Sequence, residues 1–225
     1  MTSSAALYQL MTWLSPSFPV GAYAFSHGLE RAIEADRVTD VASATDWISD
    51  LVLRGSGQVD LVLLQQAFSA TLAEDDAALS DVIELGQALW PSLEIRTESL
   101  AQGEAFLRVA CACWPHAALQ ALKDDGEIAY PVAVAVCAAL HDIDIDSLAM
   151  AYAHAFTANL TSAIVRLVPL GQTDGQRITR QLLDVMPKAI ARAASTPLND
   201  IASASLMSDI YSMQHEIQYT RLFRS

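Results

Sequence analysis

Leu148, Tyr152, Phe156, Leu160, Ile164 and Leu167 fall three or four residues apart in an unbroken run from 147 to 168. That spacing lines up six large apolar side chains on one stripe of an α-helix. The same period returns at Leu7, Leu10, Met11 and Leu14, at Val41, Ala44, Ile48 and Leu51, and at Leu206, Ile210, Met213 and Ile217. Residues 58–73 are apolar nearly all round, as in a helix at the centre of a core. No run of four or more residues alternates convincingly between apolar and polar. The sequence therefore predicts an all-α fold: a single domain over residues 1–225, with about ten helices packed in a bundle-like arrangement.

Prolines and glycines punctuate this pattern. Gly55 and Gly57 end one helix, Pro91 and Pro115 end others, and Pro131 is tolerated in the first turn of a helix over 132–141. A helix over 173–194 is kinked or divided at Pro187, and the last helix covers 203–219. Gly103 lies inside a helix over 94–113, where it costs about 1 kcal/mol against Ala. The expected compensation is close approach of a neighbouring helix. Cys111, Cys113 and Cys137 read as reduced, buried thiols.

With 52% hydrophobic and 17% charged residues, and a mean hydropathy of +0.28, the surface has few charges to cover it. An apolar association surface is expected, including self-association. The net charge of −13 argues against nucleic acid and against anionic membranes. It suits a basic protein partner. The N-terminal residues lack the pattern of a secretory signal, and no apolar run reaches the ~18 residues of a membrane span. A cytoplasmic location is the expectation.

Residues 15–30, SPSFPVGAYAFSHGLE, interrupt the helical pattern most strongly. Pro16 and Pro19 rule out a continuous helix, and Ser26 is placed to cap a short one ending near Glu34. Irregular segments on a regular scaffold often carry binding function. The competing reading is a turn that buries Phe18, Tyr23 and Phe25 between helices.

No catalytic or metal motif in the sequence is complete. Asp142, Asp144 and Asp146 resemble the start of a calcium loop, but its sixth and twelfth positions are Ser147 and Ala153. Cys111 and Cys113 point to opposite sides of a helix, and the five histidines form no HExxH pair. The glycine-containing loop 171–177 lacks the Lys of a P-loop, and no G-x-S-x-G elbow occurs. Glu30, Glu94, Glu98 and Glu104 have no spacing that marks a general base. The residues by themselves favour a binding role over an enzyme.

Three segments carry a family resemblance. Phe18-Pro19-Val20-Gly21 with Phe25-Ser26-His27-Gly28-Leu29-Glu30 resembles the LPVGGFSYSHGLE-type motif of the urease accessory protein UreF family. Arg166 to Gln176, RLVPLGQTDGQ, resembles its RL-x-PLGQT-x-GQ motif. Met213 to Ser225, MQHEIQYTRLFRS, is similar to its M-x-HE-x-x-x-x-RLF-x-S ending. Glu94-Ile95-Arg96, Ser99 and Gly103 form a weaker match to an ELR-x-x-S-x-x-x-G helix. Ala22 and Ala24 stand where the family often has Gly and Ser.

The resemblance implies a cytoplasmic, all-helical, dimeric chaperone of nickel-urease maturation. It would dock the UreD/UreH-type accessory protein and the GTPase UreG, and help deliver nickel to the carbamylated-lysine site of apo-urease. No catalytic residue, cofactor or resident metal is implied, and nickel contact is expected to be at most weak and transient, through His27 or Glu30. Partner contacts are expected in each motif: Tyr23, His27 and Glu30 in the first; Gln172, Gln176 and Arg177 in the second; His215, Glu216, Tyr219, Arg221, Leu222, Phe223 and Arg224 in the third. The basic, apolar tail needs an acidic counterpart on this chain's own body or on a partner, and the UreD-type partner is the expectation. The alternative is a regulator that supplies Gln172 or Arg177 to the nucleotide site of UreG.

Overall fold

The computed structural model describes residues 3–224. Among them it contains twelve α-helices, two short 3-10 turns and no strand. The helices are α1 (Ser4–Trp13), α2 (Leu29–Glu34), α3 (Val41–Arg54), α4 (Ser56–Leu72), α5 (Asp76–Ala88) and α6 (Leu93–Cys113). They continue with α7 (Ala117–Asp124), α8 (Tyr130–Leu140), α9 (Ile145–Leu167), α10 (Gln172–Leu182), α11 (Met186–Ser195) and α12 (Leu206–His215). The all-α expectation holds.

Helices α4 and α8 pack against each other at the centre. Both are apolar nearly all round, and both are surrounded: every residue from Pro131 to Ala139 is buried, and so is every residue from Ser56 to Leu64. Around them lie α3, α5, α6, α9 and α11, while α10 closes over α3 and α9. Local chemistry sets the ends. Asp40, Asp75, Ser92 and Asp144 each accept a backbone N–H of the first turn that follows. The segment over 173–194 is divided into α10 and α11, with Pro187 in the first turn of α11, where its missing N–H is not needed.

Gly103 has the packing reason its cost demanded. A Cβ there would lie 1.9 Å from the Ile128 carbonyl oxygen, so α6 touches the backbone that leads into α8 rather than a helix face. Helix α9 has the length and hydropathy of a membrane span, but half of that stretch packs inside the protein. Of the cysteines, Cys137 is buried, its thiol pushed up to about 12 by burial, whereas Cys113 is exposed on the last turn of α6 and Cys111 is half-buried.

Helix α12 departs from its sequence reading. The helix expected over 203–219 is shorter, and its apolar stripe faces outward: Leu206 is 71% exposed, Ile210 and Met213 are also exposed, and Ile217, 87% exposed, lies beyond the helix end. The buried side carries Ser208, Asp209, Tyr211, Ser212 and His215. Helical periodicity names the residues that share a face; it does not say which face goes in. Here polar pairs and a small-residue contact seat the polar side on α2 and α6.

Candidate functional site

The first and third motif segments, separated by almost the whole chain, meet at one place, and the second reaches it through Arg166. The turn before α2 supplies one wall. His27 and Gly28 both have left-handed backbone, with φ of 53° and 73°. A non-glycine residue in that region needs support. His27 receives it from Ser56 Oγ, 3.1 Å from Nδ1, and from Glu98 Oε1, 3.2 Å from Nε2. Gly28 is required twice over: by its φ, and because a Cβ would lie 2.6 Å from the backbone nitrogen of Ser212. That approach lets α12 settle onto α2. Ser26 does not become the N-cap residue, which is Gly28; its hydroxyl accepts the Glu30 N–H at 3.3 Å instead.

Against this wall lies the end of the chain. The buried Glu30 carboxylate accepts the backbone N–H of Leu222 at 2.7 Å on Oε1 and that of Phe223 at 2.9 Å on Oε2. His215, fully buried, stands between two carboxylates: Nδ1 is 2.7 Å from Glu94 Oε2 and Nε2 is 3.2 Å from Glu30 Oε2. The Arg221 guanidinium donates to Glu94 Oε1 at 2.8 Å. Arg166 donates to the Tyr23 carbonyl and covers the Phe223 ring, 4.5 Å from its centroid. The Arg224 N–H reaches the Ala24 carbonyl at 2.7 Å, and Glu216 accepts the Leu93 N–H at 2.8 Å. Hydrogen bonds to ionised groups are about twice as strong as neutral ones.

The residues expected at partner contacts fall into two groups. His27, Glu30, His215 and Phe223 are buried in the chain's own interior. The acidic counterpart of the basic tail is internal, Glu94 and Glu30, so the tail docks on its own body. Arg166 does more than complement a helix end. Outward-facing groups remain: Tyr23, 71% exposed, with Tyr219 and Leu222, and the exposed side chains of Arg221 and Arg224. Glu216 is half-buried. Gln172 and Gln176 are exposed and line, with Arg166, a shallow groove between α9 and α10. Arg177 is exposed and paired with Asp174 at 2.6 Å, off that groove's lining.

Behind the turn is a cavity of about 230 Å³ lined by His27, Asp60, Glu98, Gln102, Tyr130 and Tyr152 among others. Tyr152 donates to Asp60 at 2.8 Å, and Gln102 donates to Glu98 at 2.8 Å. Burial pushes the Asp60 carboxyl up to about 7, against the opposing pull of the Tyr152 hydrogen bond and of His27. Burial would lower His27, but the charge and hydrogen bond of Glu98, helped by Asp60, hold it above its ordinary value. Sequence reading missed Asp60 entirely, although a carboxylate inside an otherwise apolar helix is a visible signal. No spacing sets Glu94 or Glu98 apart from solvated helix faces, yet both belong to buried networks.

Comparison with known proteins agrees with the motif resemblance. The family model UreF matches residues 38–183. The urease accessory protein UreF of Rhodopseudomonas palustris (strain BisA53) is 47% identical over 224 residues, covering 99% of this chain and 94% of its own length. That of Bradyrhizobium diazoefficiens is 44% identical, covering 99% and 93%. That of Bradyrhizobium sp. (strain BTAi1) is 47% identical over 221 residues, covering 98% and 92%. With a family model over more than half of the chain and such identity along nearly all of it, this chain belongs to the UreF family of urease accessory proteins.

Proposed function

We propose that this chain is a urease-maturation chaperone that acts by binding. In this reading it docks a UreD/UreH-type accessory protein and the GTPase UreG, self-associates as a homodimer in the cytoplasm, and helps hand nickel, the cargo, to apo-urease. The observation that carries the reading is the reversed polarity of α12. A helix that turns Leu206, Met207, Ile210 and Met213 outward while burying serines and a histidine leaves an exposed apolar face, and the chain that follows it exposes Ile217, Tyr219 and Leu222 as well. Exposed apolar patches of that kind mark association surfaces. Arg221 and Tyr23, both exposed, are residue types enriched at the centres of interfaces.

The test is capture of the UreD-type partner by three forms of the protein: wild type, the truncation lacking 221–225, and Ile210→Asp/Met213→Asp. Both altered forms are expected to lose the complex, at least tenfold in affinity, with helicity unchanged. Retention of the complex by both would overturn the reading. The regulator reading has one observation in its favour, the exposed Gln172, Gln176 and Arg177 at the start of α10. It predicts that Gln172→Ala or Arg177→Ala lowers GTP turnover by UreG at unchanged binding; a lost complex supports docking instead.

A further inference from the structure

The cavity of about 230 Å³ is walled by α4, α6, α9 and the chain between α1 and α2. Pro16, Tyr23, His154 and Ser162 line it and are exposed, so it opens to the surface there. An apolar cavity of about 150 Å³ holds a benzene molecule. This one has room for a ring and a short chain.

The lining has two kinds of surface. Phe18, Trp90, Tyr130, Tyr152 and Phe156 supply aromatic rings. The polar ends of two of them are already committed: Trp90 Nε1 donates to the Gly86 carbonyl at 2.6 Å, and the Tyr152 hydroxyl donates to Asp60 Oδ2 at 2.8 Å. The polar floor carries Asp60, Glu98 and Ser99. Among the described residues no Lys or Arg lines the cavity, so one imidazole, that of His27, faces two acids. Its Nε2 lies 3.2 Å from Glu98. Tyr152 gives Asp60 one donor, whereas a carboxylate has room for about four. Ser99 is an independent sign of a missing ligand. Its hydroxyl is buried and has no hydrogen-bond partner among the described residues. A buried hydroxyl left unpaired is a standing cost that a bound polar group removes.

We propose that this cavity is a binding site for a small organic amine, its apolar body packed among the aromatic rings and its protonated nitrogen held by Asp60 on the floor shared with Ser99. Aromatic faces add attraction for a cation. No three His, Cys, Asp or Glu groups among the described residues come together as metal ligands, so the chemistry is that of an organic cation. The site goes beyond the docking reading and does not depend on it.

Calorimetric titration of the full chain with 2-phenylethylamine and with its neutral counterpart 2-phenylethanol tests the site. The amine is expected to bind with a dissociation constant below about 1 mM, and the alcohol at least tenfold more weakly. Amine affinity should rise about tenfold from pH 6 to pH 8, as Asp60 gives up a proton that burial holds until about 7. Of the groups around Asp60, Tyr130 and Tyr152 stay neutral in this range, and His27, against Glu98, loses charge in the direction that also favours a cation. Asp60→Asn keeps an acceptor for Tyr152 and removes the charge. It should weaken amine binding at least tenfold and leave the alcohol unchanged. Should Asp60→Asn fail to fold, Ser99→Leu decides, because it fills the floor with an apolar side chain and should abolish binding of both compounds. No amine binding by the wild type, equal affinity for amine and alcohol, or undiminished amine affinity in the folded variant each overturns the site.

Discussion

Asp60 sits in α4 among tyrosines rather than at the surface, and its acid–base behaviour follows from that. Its folded carboxyl titrates near 7 against an ordinary 3.8, because burial penalises the charge. Between about pH 4 and about pH 7 the folded chain holds a proton that the unfolded chain has released. By linkage, stability falls as pH rises through this window and levels off above it. His27 acts with the same sign. Its raised value makes its contribution complete below 6.5 and lost as pH rises through the folded value. Asp60→Asn keeps an acceptor for the Tyr152 hydroxyl and cannot ionise. Calorimetric melting from pH 5 to pH 8 should show the wild type losing several degrees more than the variant, an effect on the order of a few kcal/mol. Parallel profiles for the two proteins would mean that Asp60 is already ionised in the folded state. Neither this pH behaviour nor the inward position of Glu30 is legible in the sequence. Each depends on residues dozens to nearly two hundred positions away, Tyr152 for Asp60 and Phe223 for Glu30.

At the scale of elements, sequence reading worked where one force decided. Residues 58–73 are apolar nearly all round, and α4 is buried all round over Ser56–Leu64, as α8 is over Pro131–Ala139. Proline and glycine placed the helix ends because their backbone limits are local. It worked again at Gly103, where a helix-breaking residue signalled a close neighbour. Gly103→Ala should therefore cost about 3 kcal/mol, since a backbone carbonyl cannot step aside as a flexible side chain would. A urea unfolding midpoint near that of the wild type would show that α6 has room to shift away from residue 128. At α12 the period named the residues that share a face but left open which face is buried. The Ser92 and Ser212 hydroxyls at 2.6 Å, the Tyr211 hydroxyl with Arg37 at 3.2 Å, and His215 with its two carboxylates make the polar side the better inner face. Those partners lie on or beside α2 and α6, and no period within α12 announces them.

At the scale of the molecule, a strongly negative chain with apolar outer faces sets electrostatic repulsion against hydrophobic attraction. Beyond α12, the exposed Leu7, Tyr8 and Met11 give α1 an apolar outer face of its own. Two copies each carrying a net −13 repel over a Debye length of about 10 Å at 0.1 M salt and about 3 Å at 1 M. Apolar burial does not weaken with salt in this way, and sulfate strengthens it. The proposed self-association should therefore tighten as ionic strength rises. Most arginines are already paired within the chain, among them Arg31 with Glu34, Arg96 with Glu127 and Arg177 with Asp174, which leaves few cations for a dimer built on ion pairs. Sedimentation equilibrium at 50 mM and 500 mM sodium chloride separates the two cases. An apolar interface predicts a dimer constant several-fold tighter at the higher salt, since screening removes repulsion between the two acidic bodies. A constant that weakens with salt would place cross-subunit ion pairs at the interface and sink the apolar one. The same salt series on Ile210→Asp/Met213→Asp assigns the face. A dimer lost in that variant uses α12, and self-association then competes with the accessory partner for one surface. A dimer retained leaves α12 free, so that both associations occur on one molecule at once.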